Sequence, residues 1–137
     1  MSVEVAVRFA KALDAEDYQT AESMLSEECE YLCRGQKYCS PNAIIETYRG
    51  NGASAKNEFD SIEYESDVTS IRDGVALIHF IDHLSIHERH LTFECQQLVH
   101  VGEDGRIVRI EQIGLPGQRK ALAAFRQGSV DAESKCE

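Results

Sequence analysis

Three consecutive segments between residues 75 and 113 alternate apolar and polar side chains: VALIHFIDHLSI, HLTFECQQLVHV and RIVRIEQI. Alternation over such lengths specifies strands, because successive side chains on a strand point to opposite faces. The linkers His87-Glu88 and GEDG are short enough only for hairpin turns, so the strands form an antiparallel meander. The turns also decide which side chains share a face. With His87-Glu88 as the first turn, Leu84 pairs with Leu91, Asp82 with Phe93, Phe80 with Cys95 and Ile78 with Gln97. The opposite face then pairs His83 with Thr92, Ile81 with Glu94 and His79 with Gln96. The first set is the more apolar and is expected to face the core. Across the second turn, the same reasoning places Val99 beside Val108, Gln97 beside Ile110 and Cys95 beside Gln112.

Helical signals dominate the first half of the chain. Val3, Val7, Ala10 and Leu13, with Phe9 alongside, follow a helical period. Asp14-Ala15-Glu16-Asp17 interrupts that stripe and caps a second short helix over about residues 17–25. ECEYLCRGQKYC, with Gly35 at its centre, reads as a short hairpin. Ser40-Pro41 opens a third helix, the serine as cap and the proline in the first turn. This helix carries Ile44, Ile45 and Tyr48 and is expected to stop at Gly50-Asn51-Gly52. Alternation from Phe59 to Ile71 predicts a further strand, and Arg72-Asp73-Gly74 turns it into the meander. Leu115-Pro116-Gly117 ends the last strand, residues 118–127 predict a terminal helix, and 128–137 a flexible tail. The expectation is one domain over residues 1–127, without internal repeats.

Charge narrows the partners. A net charge of −10 repels phosphate backbones, and the one basic cluster, Arg119, Lys120 and Arg126, is too small to offset it, so nucleic-acid binding is not expected. No apolar run approaches the roughly 20 residues of a membrane helix, and the N-terminus lacks the plan of a signal peptide. The expected location is the cytoplasm. Five cysteines, an odd number, then read as free thiols rather than a disulfide framework. Cys29, Cys33 and Cys39 match no zinc-knuckle spacing. His79, His83, His87 and His90 would share a face on a helix, but four residues along a strand span about 13 Å, too far to hold one ion. Neither a metal nor a cofactor is expected.

The order helix, helix, hairpin, helix and long antiparallel strands resembles the nuclear-transport-factor-2-like (NTF2-like) superfamily. RFAKALDAEDYQTAESMLSEECEYL is similar to the first two helices and first strand of ketosteroid isomerases and SnoaL-like proteins. AIIETY is similar to their third helix, and DGRIVRIEQI to their last strand. The resemblance covers about residues 3–115 and implies an α+β, cystatin-like cone, a curved antiparallel sheet wrapped around the N-terminal helices with a pocket inside. The superfamily holds isomerases, polyketide cyclases, dehydratases, epoxide hydrolases and non-catalytic members, so the fold does not select an activity. The isomerase positions are replaced: Phe9 stands at the tyrosine donor, Cys33 at the aspartate base and Gln97 at the protonated aspartate donor. Tyr48 matches an accessory pocket tyrosine.

The remaining candidates come from the inward face. Asp82 lies between Phe80 and Leu84 and opposite Phe93, where burial would raise its pKa and make it a general base. The competing reading sets it at the sheet rim, solvated or paired with an arginine. Gln97 and Gln112 either orient a ligand or satisfy each other as core amides. Tyr31 and Tyr48 either lend hydroxyls to the cavity or pack within the core. Cys33 faces the same interior and reads first as a small buried hydrophobe, with a nucleophile as the sharper alternative. Phe80 and Phe93 complete the ligand-lining set.

Two functional readings follow. One is a SnoaL-like protein that binds a small, largely apolar organic molecule and, if an enzyme, moves a proton without a cofactor, as in isomerisation or cyclisation. Asp82 would be its base, with Tyr48 and Gln97 polarising the substrate oxygen. The other is a non-catalytic dimeric binding or interaction module. The outer face, with Val75, Leu77, His79, Ile81, Leu98 and His100, is apolar enough to predict a homodimer. Chemistry of the epoxide-opening kind would need a second inward acid and a basic residue, with Arg34 and Arg109 as the candidate partner arginines.

Overall fold

The computed structural model describes residues 2–127. Helices α1 (Ser2–Asp14) and α2 (Tyr18–Ser23) precede the hairpin β1 (Leu25–Cys33) and β2 (Gln36–Cys39). Helix α3 (Pro41–Glu58) leads into strands β3 (Ser61–Arg72), β4 (Val75–Ile86), β5 (Arg89–Val101) and β6 (Ile107–Ile113), and α4 (Gln118–Gln127) follows. One curved, unclosed sheet has the order β2-β1-β6-β5-β4-β3. All neighbours are antiparallel except β1 and β6, whose parallel pairing brings the N-terminal hairpin beside the end of the meander. This is the expected α+β cone.

Local chemistry fixes the joints. Asp17 accepts a hydrogen bond from Thr20 N and caps α2; Ser40 accepts one from Ala43 N and caps α3, with Pro41 in its first turn. The β1–β2 turn places Arg34 and Gly35 at φ 49° and 81°, the left-handed pair that a two-residue hairpin requires.

Helix α3 departs from the sequence expectation: it runs on to Glu58 instead of stopping at Gly50-Asn51-Gly52. Two helical glycines cost about 1 kcal/mol each relative to alanine. Contacts further along the helix offset this. Lys56 Nζ meets Glu16 Oε1 at 2.6 Å, and Phe59 at the helix end is buried. Gly52 marks a close approach, since a Cβ there would lie 2.9 Å from the Tyr18 hydroxyl.

The β4–β5 register is as expected, from Leu84↔Leu91 to Ile78↔Gln97. The β5–β6 register is not: Val99 faces Ile110 and Gln97 faces Gln112, a two-residue correction. Two single-residue shifts add up to it: past the turn Val101 pairs with Ile107 rather than Arg106, and a bulge then leaves Val108 as the extra residue before His100 pairs with Arg109. Val108 is accordingly exposed and Ile107 buried. The slip is even, so Gln97 and Gln112 keep the inward face.

The main core joins Phe9 of α1 and Ile44 and Ile45 of α3 to Ile78, Val99, Ile107 and Ile110 of the sheet. A separate cluster joins Phe125 of α4 to Phe59 and Leu84. On the outer face, His79 meets Glu94 at 2.6 Å, His100 meets Glu111 at 2.8 Å, and His83 pairs with Glu65. Leu77, Ile81 and Leu98 stand half-buried between these pairs, whereas Val75 is buried.

Candidate functional site

The inner face of the sheet is layered. Its deepest polar row is Gln97 of β5, 3% exposed, opposite Gln112 of β6. Tyr48 of α3 donates from its hydroxyl to Gln97 Oε1 at 2.8 Å, and Gln97 Nε2 donates to Gln112 Oε1 at 2.8 Å. The Tyr31 hydroxyl accepts from Gln97 Nε2 at 3.2 Å and donates to Gln112 Oε1 at 3.3 Å. The Tyr31 and Tyr48 rings stack with centroids 5.6 Å apart, and Phe9 meets Tyr48 edge-on. Burial pushes both phenols well above their ordinary pKa, so they stay protonated donors. Tyr31, Tyr48, Gln97 and Gln112 thus form one connected amide–phenol network.

Towards the open end the inner face is only half-buried, at Phe80, Asp82, Phe93 and Cys95. Asp82 faces Tyr64 of β3 on one side and Phe93 of β5 on the other. Its pKa is pushed up to about 6, mainly by burial and then by the charge of Asp14, with His83 pulling the other way. Among the described residues no hydrogen bond to the Asp82 carboxylate is formed. Asp14 ends α1, and its Oδ2 accepts from Ser66 Oγ at 2.8 Å. Ser66 is the inward neighbour of Tyr64 on β3, which puts Asp14 on the Asp82 side of the cone. Burial is also the main cause that lifts the Asp14 carboxyl. Tyr64 is raised to about 12 by burial first and the Asp82 charge second. A groove of about 620 Å³ is lined by Asp14, Lys56, Phe59, Ile62 and Tyr64 among others, and Asp82 stands behind Tyr64, outside that lining.

The structure brings together four expected residues, Tyr31, Tyr48, Gln97 and Gln112, and sets Asp82 apart from them. Asp82 pairs with Phe93 and Gln97 with Ile78, so four residues of strand, about 13 Å, separate the carboxylate from the amide. Phe80, Phe93 and Cys95 line the interval. Cys33 is half-buried beside Tyr31, and burial raises the Cys95 thiol to about 11, far from a thiolate nucleophile. Asp14, Tyr64 and Ser66 were not among the sequence candidates. The even-numbered alternation of β3 was the available signal for the last two, while Asp14 reads in sequence only as a helix end. Among the described residues, no group of three or more His, Cys, Asp or Glu side chains could hold a metal ion. Chemically, the arrangement offers a carboxylate of raised basicity at the open end and neutral hydrogen-bonding groups at the deep end.

No protein-family model and no curated protein matches the sequence. Solved structures do match the fold. An NTF2-like protein of unknown function from Exiguobacterium sp. 255-15 superposes with a TM-score of 0.61 at 16% identity, covering 82% of this chain and 98% of that one. A protein assigned as a SnoaL-like polyketide cyclase from Shewanella putrefaciens CN-32 gives 0.68 at 12% identity, over 90% and 96% of the two chains. TerC, crystallised with polyporic acid, gives 0.68 at 10% identity, over 92% and 98%. At these identities the likeness is one of architecture, and this chain has the NTF2-like fold shared by the SnoaL-like proteins.

Proposed function

We propose that this protein is a SnoaL-like, pocket-bearing protein that binds a small, largely apolar organic molecule and moves a proton on it without a cofactor. The observation that carries the reading is Asp82, a carboxylate on the inner face between Tyr64 and Phe93, with its pKa pushed up to about 6. Near neutral pH such a group is largely ionised yet more basic than an ordinary aspartate. It would take a proton from a carbon next to a carbonyl, and the electron pair would pass to the carbonyl oxygen as an enolate. Returning the proton to another carbon completes an isomerisation. Attack of the enolate on a second carbonyl closes a ring, and the new alkoxide takes the proton. The amide–phenol network, about 13 Å away along the strand, would hold the far end of the ligand rather than the reacting oxygen.

The test is deuterium uptake, followed by NMR, at carbons next to carbonyls in a panel of polycyclic ketones. Wild-type protein is expected to catalyse uptake with an apparent pKa near 6, and Asp82→Asn to abolish it. Uptake that the substitution leaves unchanged overturns Asp82 as base.

A specific observation favours the second reading, a non-catalytic module. The amides and phenols of the deep row bond to one another, and among the described residues no buried polar side-chain atom lacks a partner. No uptake with any ketone, together with dimerisation, supports the module. We also infer a homodimer through the outer sheet face. Free Cys29, Cys33, Cys39 and Cys95 support a reducing compartment such as the cytoplasm.

A further inference from the structure

We propose that α4 is a lid over the Asp82 end of the cone, opening on its hinge while the main core stays folded, and that ligands reach the inner face beneath it. The entry route rests on the reading that the inner face takes a ligand; the opening does not.

The position of α4 follows from the sheet. Strand β6 ends at Ile113, opposite Gln96, so β5 from Arg89 to Glu94 has no β6 neighbour. Helix α4 begins at that gap, where Gln118 Oε1 accepts a hydrogen bond from Glu94 N at 2.8 Å. Further along, Phe125 stacks on Phe59 and shares a buried cluster with Leu84, against which Leu122, Leu91 and Phe93 also pack. Phe93 is the residue directly opposite Asp82, and Phe59 also lines the groove that Asp14 and Tyr64 share. The helix therefore covers the row next to the carboxylate.

Its attachment is separable from the rest. The cluster that holds α4 contains three buried residues, Phe125 of the helix among them, and is distinct from the main core. Its other ties lie near the surface. The Arg89 guanidinium sits 4.8 Å over the Phe125 ring and donates to the Phe125 carbonyl at 3.4 Å. Arg126 meets Glu58 at 3.0 Å with both side chains exposed. An exposed ion pair contributes under about 1 kcal/mol. Elements held by few buried contacts open locally at a lower free energy than the fold as a whole. Gly117, at φ 80°, directly precedes the helix and supplies a hinge that tolerates backbone change.

Amide hydrogen exchange on the full chain tests the opening. The α4 amides are expected to exchange about 100-fold faster than those of Ile78, Gln97 and Val99. Equal protection in the helix and in those strands overturns the lid. Entry is tested by stopped-flow binding of the neutral apolar fluorophore N-phenyl-1-naphthylamine. Phe125→Ala is expected to raise its association rate about tenfold, and the milder Arg89→Met to raise it less, with exchange at Ile78 and Val99 unchanged. An association rate unaltered in both variants overturns the entry route. Absence of binding to all three proteins overturns the ligand reading and the route with it, and the exchange pattern still decides whether α4 opens.

Discussion

The Tyr48 hydroxyl donates a 2.8 Å hydrogen bond to Gln97 Oε1, joining α3 to the middle of β5. Gln97 passes the connection on to Gln112 and Tyr31, so a single amide ties a helix to three strands. Gln97→Leu fills the space but leaves the Tyr48 hydroxyl and the Gln112 oxygen with fewer partners. Each orphaned buried group costs about 1–3 kcal/mol; Tyr48→Phe orphans Gln97 Oε1 but removes one hydrogen bond, whereas Gln97→Leu removes three. Urea unfolding should show the larger midpoint drop for Gln97→Leu. Equal, small losses in both variants would mean that water replaces the network.

Asp82 sets a pH dependence whose sign is opposite to that of a salt-bridged carboxylate. Its folded pKa, about 6, lies above the ordinary value of 3.8, so between these pH values the folded state binds more protons than the unfolded one. Stability therefore falls as pH rises through that window and stays lower above it. The shift corresponds to at most about 3 kcal/mol, less where the carboxylate reaches solvent. Asp82→Asn should raise thermal stability at pH 7.5 and change it little at pH 4. Asp14→Asn should lower the Asp82 pKa by removing the like charge, which NMR titration of the carboxyl carbon measures. An Asp82 pKa near 4 in the unmodified protein would contradict both expectations.

The two glycines near the middle of α3 should respond differently to alanine. A Cβ at Gly50 meets nothing within 4 Å, so Gly50→Ala should stabilise the protein by about 0.5–1 kcal/mol through helix propensity. At Gly52 the new carbon would lie 2.9 Å from the Tyr18 hydroxyl and 3.4 Å from Glu16 Oε2. Displacing Tyr18 would disturb the Arg49 guanidinium that lies 5.2 Å over its ring. Thermal melts should show a gain for Gly50→Ala and none for Gly52→Ala; equal gains would mean that Tyr18 moves aside freely.

The proposed dimer is tested by sedimentation. The wild-type protein should sediment at twice the 15.3 kDa chain mass. Leu77→Glu should shift it to monomer, because Leu77 lies half-buried on the outer face between Thr69 and Leu98. A wild-type monomer at micromolar concentration would remove the outer-face interface from the functional reading.

The β4–β5 hairpin was fully legible in the sequence. Alternation gave β4 and β5, and the two-residue turn at His87-Glu88 fixed every pairing between them, because a tight turn leaves no freedom of register. Helix starts at Asp17 and Ser40 were legible for a similar reason: a cap is a local hydrogen bond. The β5–β6 register was not. The bulge at Val108 follows from burying Ile107 and Ile110 together, a demand that appears only when β1 lies alongside β6. The length of α3 was hidden likewise, since Lys56 and Phe59 find their partners on other elements.

The candidate site divides along the same line. The inward facing of Asp82, Gln97 and Gln112 follows from strand periodicity, so the amino-acid sequence by itself determined which side chains could enter the cone. Only the tertiary structure decided which of them meet. The closing of Tyr48 and Tyr31 onto Gln97, the approach of Asp14 to Asp82, and the stacking of Phe125 on Phe59 all bring together residues distant in the chain. Local propensity acts over a few residues, whereas these contacts arise when helices and sheet bury their apolar faces against one another.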